Sequence, residues 1–281
     1  MTKVLMFHRV LPQNQITSPN AYTEFGTLIS QEYLEQILCW LNENNYKIVN
    51  VSKLCNYTED KKVIALTFDD GYVDNFEFAY PVLKKHKATA TFFPLVCTSK
   101  NNSVLPLDTY YQCVDSMNLN EDEREKFIKG SIKKEFYWTE PSKQREMLTS
   151  IFNEIPKNSR VQYMSASQLI ELSNNGFEIG SHGVTHSLLT ADYMTKEKQL
   201  KEMQSSKKWL ESILDKKVTA YCFPAGYYNL ELLELAKQVG YTSVSLISKQ
   251  EKTSEVLTSY SRVFVKPNSF NELKVQLDAE L

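Results

Sequence analysis

The alternation of strand-like and helix-like segments constrains the fold of this chain more than any other feature. Runs rich in Val, Ile, Phe and Thr recur along most of its length, and amphipathic helical patterns separate them. This alternation of strands and helices predicts parallel strands joined by crossover helices, in an open doubly wound sheet or in a closed barrel. We favour the barrel, with strands at 3–8, 46–51, 63–68, 88–95, 177–181, 217–223, 241–247 and 262–265.

Several helix boundaries can also be predicted. Ser30 can cap one amphipathic helix, and Ser165 with Gln168 has the spacing of a capping box at the start of another. Asn229 begins a third helix, which Gly240 ends. These helices lie between predicted strands, as crossover helices in a barrel would.

Residues 101–163 interrupt the alternation. The stretches NLNEDEREKFIKG and PSKQREMLTSIFNEI predict polar helices without strands between them. We therefore predict one domain over residues 1–281 with a helical insertion at about 101–163, because barrels of this kind often reach this length as one domain. The insertion leaves after one barrel strand and returns before another. It is expected to form a partial lid over the catalytic face, although a decorative or dimerising role stays open.

Charge and hydropathy exclude some classes of function. The 32 Lys and Arg residues are balanced by 34 Asp and Glu residues, so no nucleic-acid partner is expected. The N-terminal apolar run covers only residues 4–7, and no apolar window of about 18 residues follows, which predicts neither a signal peptide nor a transmembrane segment. Five cysteines without metal or redox spacing are expected to be reduced thiols. These features predict a cytoplasmic protein and leave its oligomeric state open.

Two motifs at predicted strand ends contain the candidate chemistry. The strand VIALTFDD ends in Asp69 and Asp70, and His182 and His186 follow the strand before SHGVTH. Catalytic groups of parallel α/β barrels lie at the carboxyl ends of the strands. Two imidazoles four residues apart and one carboxylate can form a metal site with positions open for water and substrate. Helix capping by an aspartate and surface histidines are the simpler alternatives. A non-haem iron oxygenase would use the same ligands, but the strand–helix alternation argues against its usual jelly-roll barrel.

The stretches TFDDGY, SHGVTH and YCFPAG, in this order, resemble the first three motifs of the polysaccharide deacetylases, the NodB-homology or carbohydrate esterase family four proteins. VLMFHRV and YMSASQLIELSNNGFEIGSH are also similar to that group. The resemblance implies a distorted parallel (β/α) barrel of the NodB-homology type. It also implies metal-dependent hydrolysis of the N-acetyl group of an amino sugar. Because no signal peptide is predicted, we expect a nucleotide-linked, lipid-linked or small glycan precursor as the substrate.

The resemblance also implies a role for each motif residue. Asp70, His182 and His186 would bind one divalent metal ion, which we expect to be zinc, and Asp69 would be the general base. A divalent cation would offset the repulsion between the adjacent carboxylates. The backbone N–H of Ala225 would donate to the oxyanion.

The sequence departs from the family pattern in two places. Members typically carry an Arg that orients the base where this chain has Cys222, so we predict that Arg262 holds Asp69, with a surface role as the alternative. Many members also carry a late His that protonates the leaving amine, and no His follows His186 here. Either His8, at the end of the first strand, takes that role, or Asp69 returns the proton itself.

Three residues near the motifs are predicted to contact substrate. Tyr72, Pro224 and Tyr227 lie just behind motif positions, and the two aromatic rings can stack on a sugar. Two other functions stay open. A hydrolase of a small non-sugar amide would use the same site, and a degenerate, noncatalytic sugar-binding member would explain the missing Arg and late His, although the retained Asp69 argues against it.

Overall fold

The computed structural model describes residues 3–57, 60, 62–156, 160–247 and 257–278. Ten strands and twelve α-helices lie in this part of the chain. The strands are β1 (Lys3–Phe7), β2 (Arg9–Leu11), β3 (Leu28–Ser30), β4 (Lys47–Ile48), β5 (Val63–Asp70), β6 (Thr91–Pro94), β7 (Glu178–Ile179), β8 (Ala220–Cys222), β9 (Ser243–Leu246) and β10 (Thr258–Phe264). The helices are α1 (Ala21–Phe25), α2 (Gln31–Glu43), α3 (Tyr80–Lys85), α4 (Val96–Asn101), α5 (Pro106–Ser116), α6 (Glu121–Lys129), α7 (Ser131–Trp138), α8 (Pro141–Ile151), α9 (Ala166–Asn174), α10 (Lys196–Leu214), α11 (Leu230–Val239) and α12 (Phe270–Asp278).

Seven strands of one parallel sheet nearly close into a barrel, in the order β7-β6-β5-β1-β10-β9-β8, and β4 pairs with β5 outside this path. Ser181, just after β7, closes the gap through a parallel bridge to Tyr221 of β8. Its N–H donates to the Ala220 carbonyl and its carbonyl accepts from the Cys222 N–H, both at 2.9 Å. The predicted parallel α/β barrel is confirmed, and each predicted strand has a counterpart.

Strand β5 lies in the centre of the sheet, between β1 and β6, and all eight of its residues are buried. A strand covered on both faces needs a nearly continuous apolar sequence, which VIALTF provides. The two aspartates therefore emerge at the carboxyl end of the most enclosed strand of the barrel.

The predicted helix boundaries agree with the structure. Ser30 caps α2, Ser165 and Gln168 form the capping box of α9, and Asn229 caps α11, which ends at Gly240 with φ +93°. The sequence did not predict the small sheet formed by β2 and β3. None of the helices in the described residues combines the length and apolar character that a membrane span requires.

The prediction for the last strand was wrong at its start. Strand β10 begins at Thr258 rather than 262, so Arg262 lies near its carboxyl end. The polar residues Thr258, Ser259 and Ser261 hid this extension from a prediction based on apolar runs. The correction matters for function, because the carboxyl end of β10 faces the mouth of the barrel.

The helical insertion has more structure than the sequence predicted. Helices α6 and α8 match the two predicted polar helices, but α5 and α7 were missed. The insertion also buries its own apolar cluster, which includes Tyr110, Val114, Phe136, Leu148 and Phe152. In the sequence, charged residues separate the aromatic residues of this cluster. The helices therefore look like polar surface helices when only the sequence is considered.

Both ends of the insertion lie at the carboxyl end of the barrel. At its start, the N–H groups of Val96 and Cys97 donate to the carbonyls of Gly183 and Val184, in the loop after His182. At its end, Tyr163 forms an antiparallel bridge with Tyr72, just after the two aspartates. The insertion therefore meets the barrel on both sides of the candidate motifs.

Candidate active site

Asp70, His182 and His186 converge at the mouth of the barrel. The Nε2 atoms of His182 and His186 lie 3.5 and 3.4 Å from Oδ1 of Asp70. That oxygen is buried and has no hydrogen-bond partner. Ligand atoms of a tetrahedral zinc site lie about 3.3 Å apart when each bond is about 2.0–2.1 Å. The spacing of the three side chains therefore fits a divalent metal ion with bond lengths like those of zinc. Such an ion would also give the unpartnered Asp70 oxygen a partner.

Unusual backbone conformations place two of these side chains. Asp70 and His186 have φ values of +68° and +61°, in the left-handed region that side chains other than Gly seldom adopt. Gly71 follows with φ +74°, and a Cβ there would lie 2.9 Å from the Cβ of Pro94. The turn after β5 thus requires Gly71, and it directs the Asp70 carboxylate into the mouth.

Hydrogen bonds fix the two histidines. The Nδ1 of His182 donates to the Cys222 carbonyl at 2.8 Å, which leaves Nε2 free to face Asp70. Burial lowers the pKa of His186 to about 4, so its imidazole is neutral at pH 7. Glu202 of α10 accepts from the N–H groups of Val184 and Thr185 at 2.7 and 3.0 Å and thereby braces the loop between the histidines. Sequence reasoning missed Glu202, one of several glutamates in a polar helix.

Asp69 is 2% exposed and lies beside the metal-type cluster. Its Oδ1 accepts from Nη1 of Arg262 at 2.7 Å, and its Oδ2 has the Cys222 thiol at 3.7 Å. Burial favours the neutral acid, but Arg262 and His182 outweigh burial and hold the pKa of Asp69 below its usual range. The carboxylate is therefore ionised, as a general base must be.

The sheet order explains how Arg262 reaches a residue so distant in sequence. Strand β1 lies between β5 and β10, and Val4 of β1 is in register with both Ala65 and Arg262. The Arg262 side chain therefore extends past β1, and its Nη1 also donates to Thr67 Oγ1 at 3.3 Å. The structure thus brings the predicted Arg262 to Asp69, whereas the Cys222 side chain contacts the other carboxylate oxygen.

The residues of this site line a cavity of about 60 Å³. Its lining includes Asp69, Asp70, His182, His186 and Arg262 together with two further predicted residues, His8 and Ala225. Nδ1 of His8 is buried without a hydrogen-bond partner. Burial lowers the pKa of His8 against the opposing effect of the two aspartates. Ala225 lines the same cavity and has a φ of +54°, in the left-handed region.

The predicted substrate-contact residues lie at different depths. Tyr72 lines the small cavity, but its ring stacks on Tyr163 with centroids 5.4 Å apart, which covers one face. Tyr227 lines a larger adjoining cavity, is 44% exposed and packs against Trp138. Pro224 is buried and is not among the residues that line either cavity.

The insertion adds residues that sequence reasoning did not identify. The Tyr137 ring lies 5.9 Å from the His186 ring and lines the small cavity. Asp108 of α5 is buried and accepts hydrogen bonds from three tyrosine hydroxyls, those of Tyr22 at 2.7 Å, Tyr72 at 2.9 Å, and Tyr163. Burial raises the pKa of Asp108 to about 6, although the hydrogen bonds from Tyr163 and Tyr22 oppose this. Asp108 ties the insertion to the residues behind Asp70.

Active sites of parallel α/β barrels lie at the carboxyl ends of the strands. Here that end holds a candidate metal cluster and a separate buried carboxylate, a combination that suits a hydrolase. Comparison with known proteins gives the family. Residues 56–244 match the family model described as polysaccharide deacetylase. The chain belongs to the polysaccharide deacetylase family, as its motifs indicated.

Individual relatives agree with this assignment. The chain is 26% identical to the Bacillus subtilis (strain 168) protein named "Putative polysaccharide deacetylase YxkH" over 243 residues, which are 85% of this chain and 61% of that protein. The fold is similar to that of the Streptococcus pyogenes deacetylase PplD in complex with acetate, with a TM-score of 0.67, 21% identity, and 98% and 97% of the two chains covered. It is also similar to IcaB from Ammonifex degensii, with a TM-score of 0.64, 18% identity, and 98% and 96% covered.

Proposed function

We propose that this chain is a metal-dependent deacetylase that hydrolyses the N-acetyl group of an amino sugar or glycan precursor. The observation that carries the proposal is the position of Asp69, a buried carboxylate with a lowered pKa, beside a cluster that fits a metal ion. A sugar-binding module needs no such base, whereas a hydrolase does. Membership of the polysaccharide deacetylase family supports the same function.

Each residue of the mouth has a part in this proposal. Asp70, His182 and His186 would hold the ion, which we propose to be zinc, and a bound zinc ion would polarise the acetamide carbonyl and acidify a water. Asp69 would take the proton of the attacking water, and Arg262 would keep its carboxylate ionised and in position. The N–H of Ala225 would donate to the carbonyl oxygen as it gains negative charge.

The leaving amine needs a proton, and two groups at the mouth can supply it. Asp69 can return the proton that it accepted, because it lies beside the reacting centre in both steps. His8 lines the same cavity and has an unpartnered Nδ1. Both routes fit a chain without a His after His186.

The substrate class is inferred from the family and from the site. The similar Streptococcus pyogenes structure is that of a deacetylase in complex with acetate, and acetate is the product that removal of an N-acetyl group releases. We propose that the same acyl group leaves here, from a nucleotide-linked, lipid-linked or small glycan precursor. The cytoplasmic location stays a prediction, which fractionation of cells producing the native protein tests.

One experiment tests the proposed function. Purified protein is assayed for acetate release from a panel of N-acetylated sugars, sugar nucleotides and small non-sugar amides, and its metal content is measured on the same sample. We expect about one zinc per chain, acetate release from a sugar, and loss of activity on chelation with recovery on adding zinc. Turnover of the non-sugar amides alone would identify a different hydrolase. Sugar binding by the metal-loaded protein without any acetate release would indicate a noncatalytic member.

A further inference from the structure

A second cavity, of about 410 Å³, adjoins the candidate active site on the insertion side. It shares eight lining residues, among them His8, Phe25, Tyr137 and Ala225, with the small cavity that the two aspartates line. Its volume lies within the range of about 300–1,000 Å³ that is typical of small-molecule sites. Tyr227, a predicted substrate-contact residue, lines this cavity, but neither the sequence motifs nor the proposed reaction assigns a role to its lysines.

One lysine in this cavity is buried without an anionic partner. Lys133 of α7 is 8% exposed, and its ammonium group lies 3.0 Å from the centre of the Phe25 ring and 5.2 Å from that of Tyr111. Among the described residues that line the cavity there is no aspartate or glutamate. Burial lowers the pKa of Lys133 to about 7.

Its neighbours show that this burial is not a general property of the lysines here. Lys129 and Lys134 line the same cavity but are exposed at its rim, and Lys129 lies 3.7 Å from Glu125. A lysine stem can cover apolar surface while its charge reaches water, but the Nζ of Lys133 lies against the face of the Phe25 ring instead. The ring face compensates only part of the cost of desolvation. A methionine would fill the position without that cost.

We propose that the second cavity is a subsite for an anionic group, a phosphate or a carboxylate, attached to the N-acetylated sugar whose acetamide lies at the Asp70–His182–His186 cluster. The anion would pair with Lys133, and the exposed ammonium groups of Lys129 and Lys134 would attract it at the rim. This inference rests on the proposed deacetylase function and narrows its substrate to acidic sugars.

The geometry of α7 links the subsite to the reacting centre. Lys133 and Tyr137 are four residues apart, so they lie on one face of the helix about 6 Å apart along its axis. Tyr137 contacts His186 of the metal-type cluster. An anionic substituent next to the N-acetylated sugar can therefore reach Lys133 while the acetamide reaches the cluster. The rings of Phe25, Trp138 and Tyr227 also line the second cavity and can pack against a sugar.

Binding without turnover tests the subsite independently of catalysis. Glucose 1-phosphate, glucuronic acid and methyl glucoside, none of which carries an acetamide, are titrated calorimetrically into the purified protein. We expect at least one anionic sugar to bind about tenfold or more tightly than the neutral one, the size of effect typical of a hydrogen bond to a charged group. The phosphate and carboxylate arms show which anion the cavity selects. Equal affinity for all three sugars would overturn the proposal.

Variants of Lys133 connect that preference to one side chain. Lys133→Met should remove the preference, and Lys133→Arg should keep most of it. Lys143→Met removes an exposed lysine of α8 that does not line the cavity, and should leave the preference unchanged. Lys133→Met should melt at or above the wild-type temperature because an unpaired buried charge is gone, and Lys133→Gln is the second neutral variant if it does not fold. A preference that survives in a folded neutral variant would contradict the subsite.

Turnover separates failure of the subsite from failure of the proposed function. In the wild type, kcat/KM for N-acetylglucosamine 1-phosphate or an N-acetylglucosaminyl uronate should exceed that for the methyl N-acetylglucosaminide, and Lys133→Met should reduce the ratio about tenfold through KM. Acetate release with equal kcat/KM for charged and neutral sugars would refute the subsite and leave the deacetylase. A different outcome is that the anionic sugar binds in a Lys133-dependent way but no N-acetylated sugar releases acetate. That result would refute the proposed deacetylase function and support the anion subsite.

Discussion

Two regions meet at the mouth: the barrel side, formed by the strand ends and the His182–His186 loop, and the insertion side, formed by α5 and α7. The barrel side buries Asp69 and Asp70 and the insertion side buries Asp108, and the surroundings of Asp69 and Asp108 differ. On the barrel side Asp69 pairs with Arg262 through one oxygen, and its other oxygen has only a thiol contact at 3.7 Å. On the insertion side Asp108 accepts from tyrosine hydroxyls on both oxygens, from Tyr22 and Tyr72 on Oδ1 and from Tyr163 on Oδ2.

This difference in partners produces opposite electrostatics. Burial raises the pKa of both carboxyls, but the Arg262 charge reverses the effect at Asp69, whereas neutral phenols leave the pKa of Asp108 raised, to about 6. Asp69 therefore keeps a charge and an oxygen that can accept a proton. The oxygens of Asp108 are already occupied. The barrel side is suited to chemistry, and the insertion side to holding the insertion in place and, through Lys133, to selecting the substrate.

The largest effect is expected from the metal-type cluster on the barrel side. His182→Ala should reduce bound zinc from about one per chain to background and lower turnover by at least about a thousandfold, because the site loses a ligand and several kcal/mol of transition-state stabilisation. Elemental analysis and acetate release measure the two outcomes. His86→Ala is the matched control, since His86 lies away from the mouth and contacts Glu35. Full zinc content in His182→Ala would refute the cluster.

The next effect concerns the base itself. Asp69→Asn should lower turnover by about 10² to 10⁴-fold with zinc content unchanged, because the amide can still accept the Arg262 hydrogen bond but cannot take a proton. Turnover within about threefold of the wild type would move the base elsewhere. Loss of zinc instead would mean that the two adjacent aspartates have exchanged roles.

Much of the barrel side could be predicted from the sequence, because its signals are local. An apolar run followed by Asp69 and Asp70 indicates both the buried strand and the carboxylates at its end. The spacing of His182 and His186 indicates a shared site, and the carboxyl-end rule for parallel strands brings the two motifs together. The pairing of Arg262 with Asp69 was also predicted, but a surface role for Arg262 stayed open until the strand order was known, because β1 separates the two strands.

The insertion side could not be predicted in the same way, because its key contacts join distant segments. Tyr22, Tyr72 and Tyr163 come from three separate parts of the chain, and no spacing between them points to Asp108. Lys133 lies in the polar-looking stretch SIKKEFYW, where only the packing of Phe25 and Tyr111 distinguishes it from the exposed Lys134. Non-local packing of aromatic residues, rather than periodicity, decides what each side chain does here.

A matched substitution on the insertion side should affect stability more than turnover. Asp108→Asn presents an NH₂ group where one phenol needs an acceptor, so we expect the free energy of unfolding to fall by about 1–3 kcal/mol at pH 7. Turnover at 25 °C should stay within about fivefold of the wild type. Urea unfolding and acetate release measure the two effects, and Tyr163→Phe should cost less stability. A collapse of turnover with unchanged stability would mean that Asp108 takes part in the chemistry.

The pH dependence of that stability difference sharpens the comparison. The pKa of Asp108 is about 6 in the folded protein, above its ordinary value of 3.8, so the folded state binds this proton more tightly than the unfolded state. Ionisation of Asp108 therefore destabilises the wild type as the pH rises from about 4 to 6. The amide introduced by Asp108→Asn does not ionise, so the stability deficit of the variant should shrink as the pH rises from about 4 to 7, by about 2 kcal/mol. A deficit that is constant with pH, or that grows, would contradict the raised pKa.

The smallest effect is expected where the insertion touches the barrel without approaching the cluster. The Trp138 ring lies 5.0 Å from that of Tyr227, at an angle of 60°, and this contact helps to bound the larger cavity. Aromatic pairs of this kind contribute about 0.5–1.5 kcal/mol, so Trp138→Ala should raise KM about 2 to 10-fold for an oligosaccharide and leave kcat within about twofold. Trp138→Phe keeps an aromatic ring, so its KM should lie between those of the wild type and Trp138→Ala. If Trp138→Ala lowered kcat as far as Asp69→Asn does, the insertion side would take part in the chemical step, and the division of the mouth into a reactive side and a selective side would be wrong.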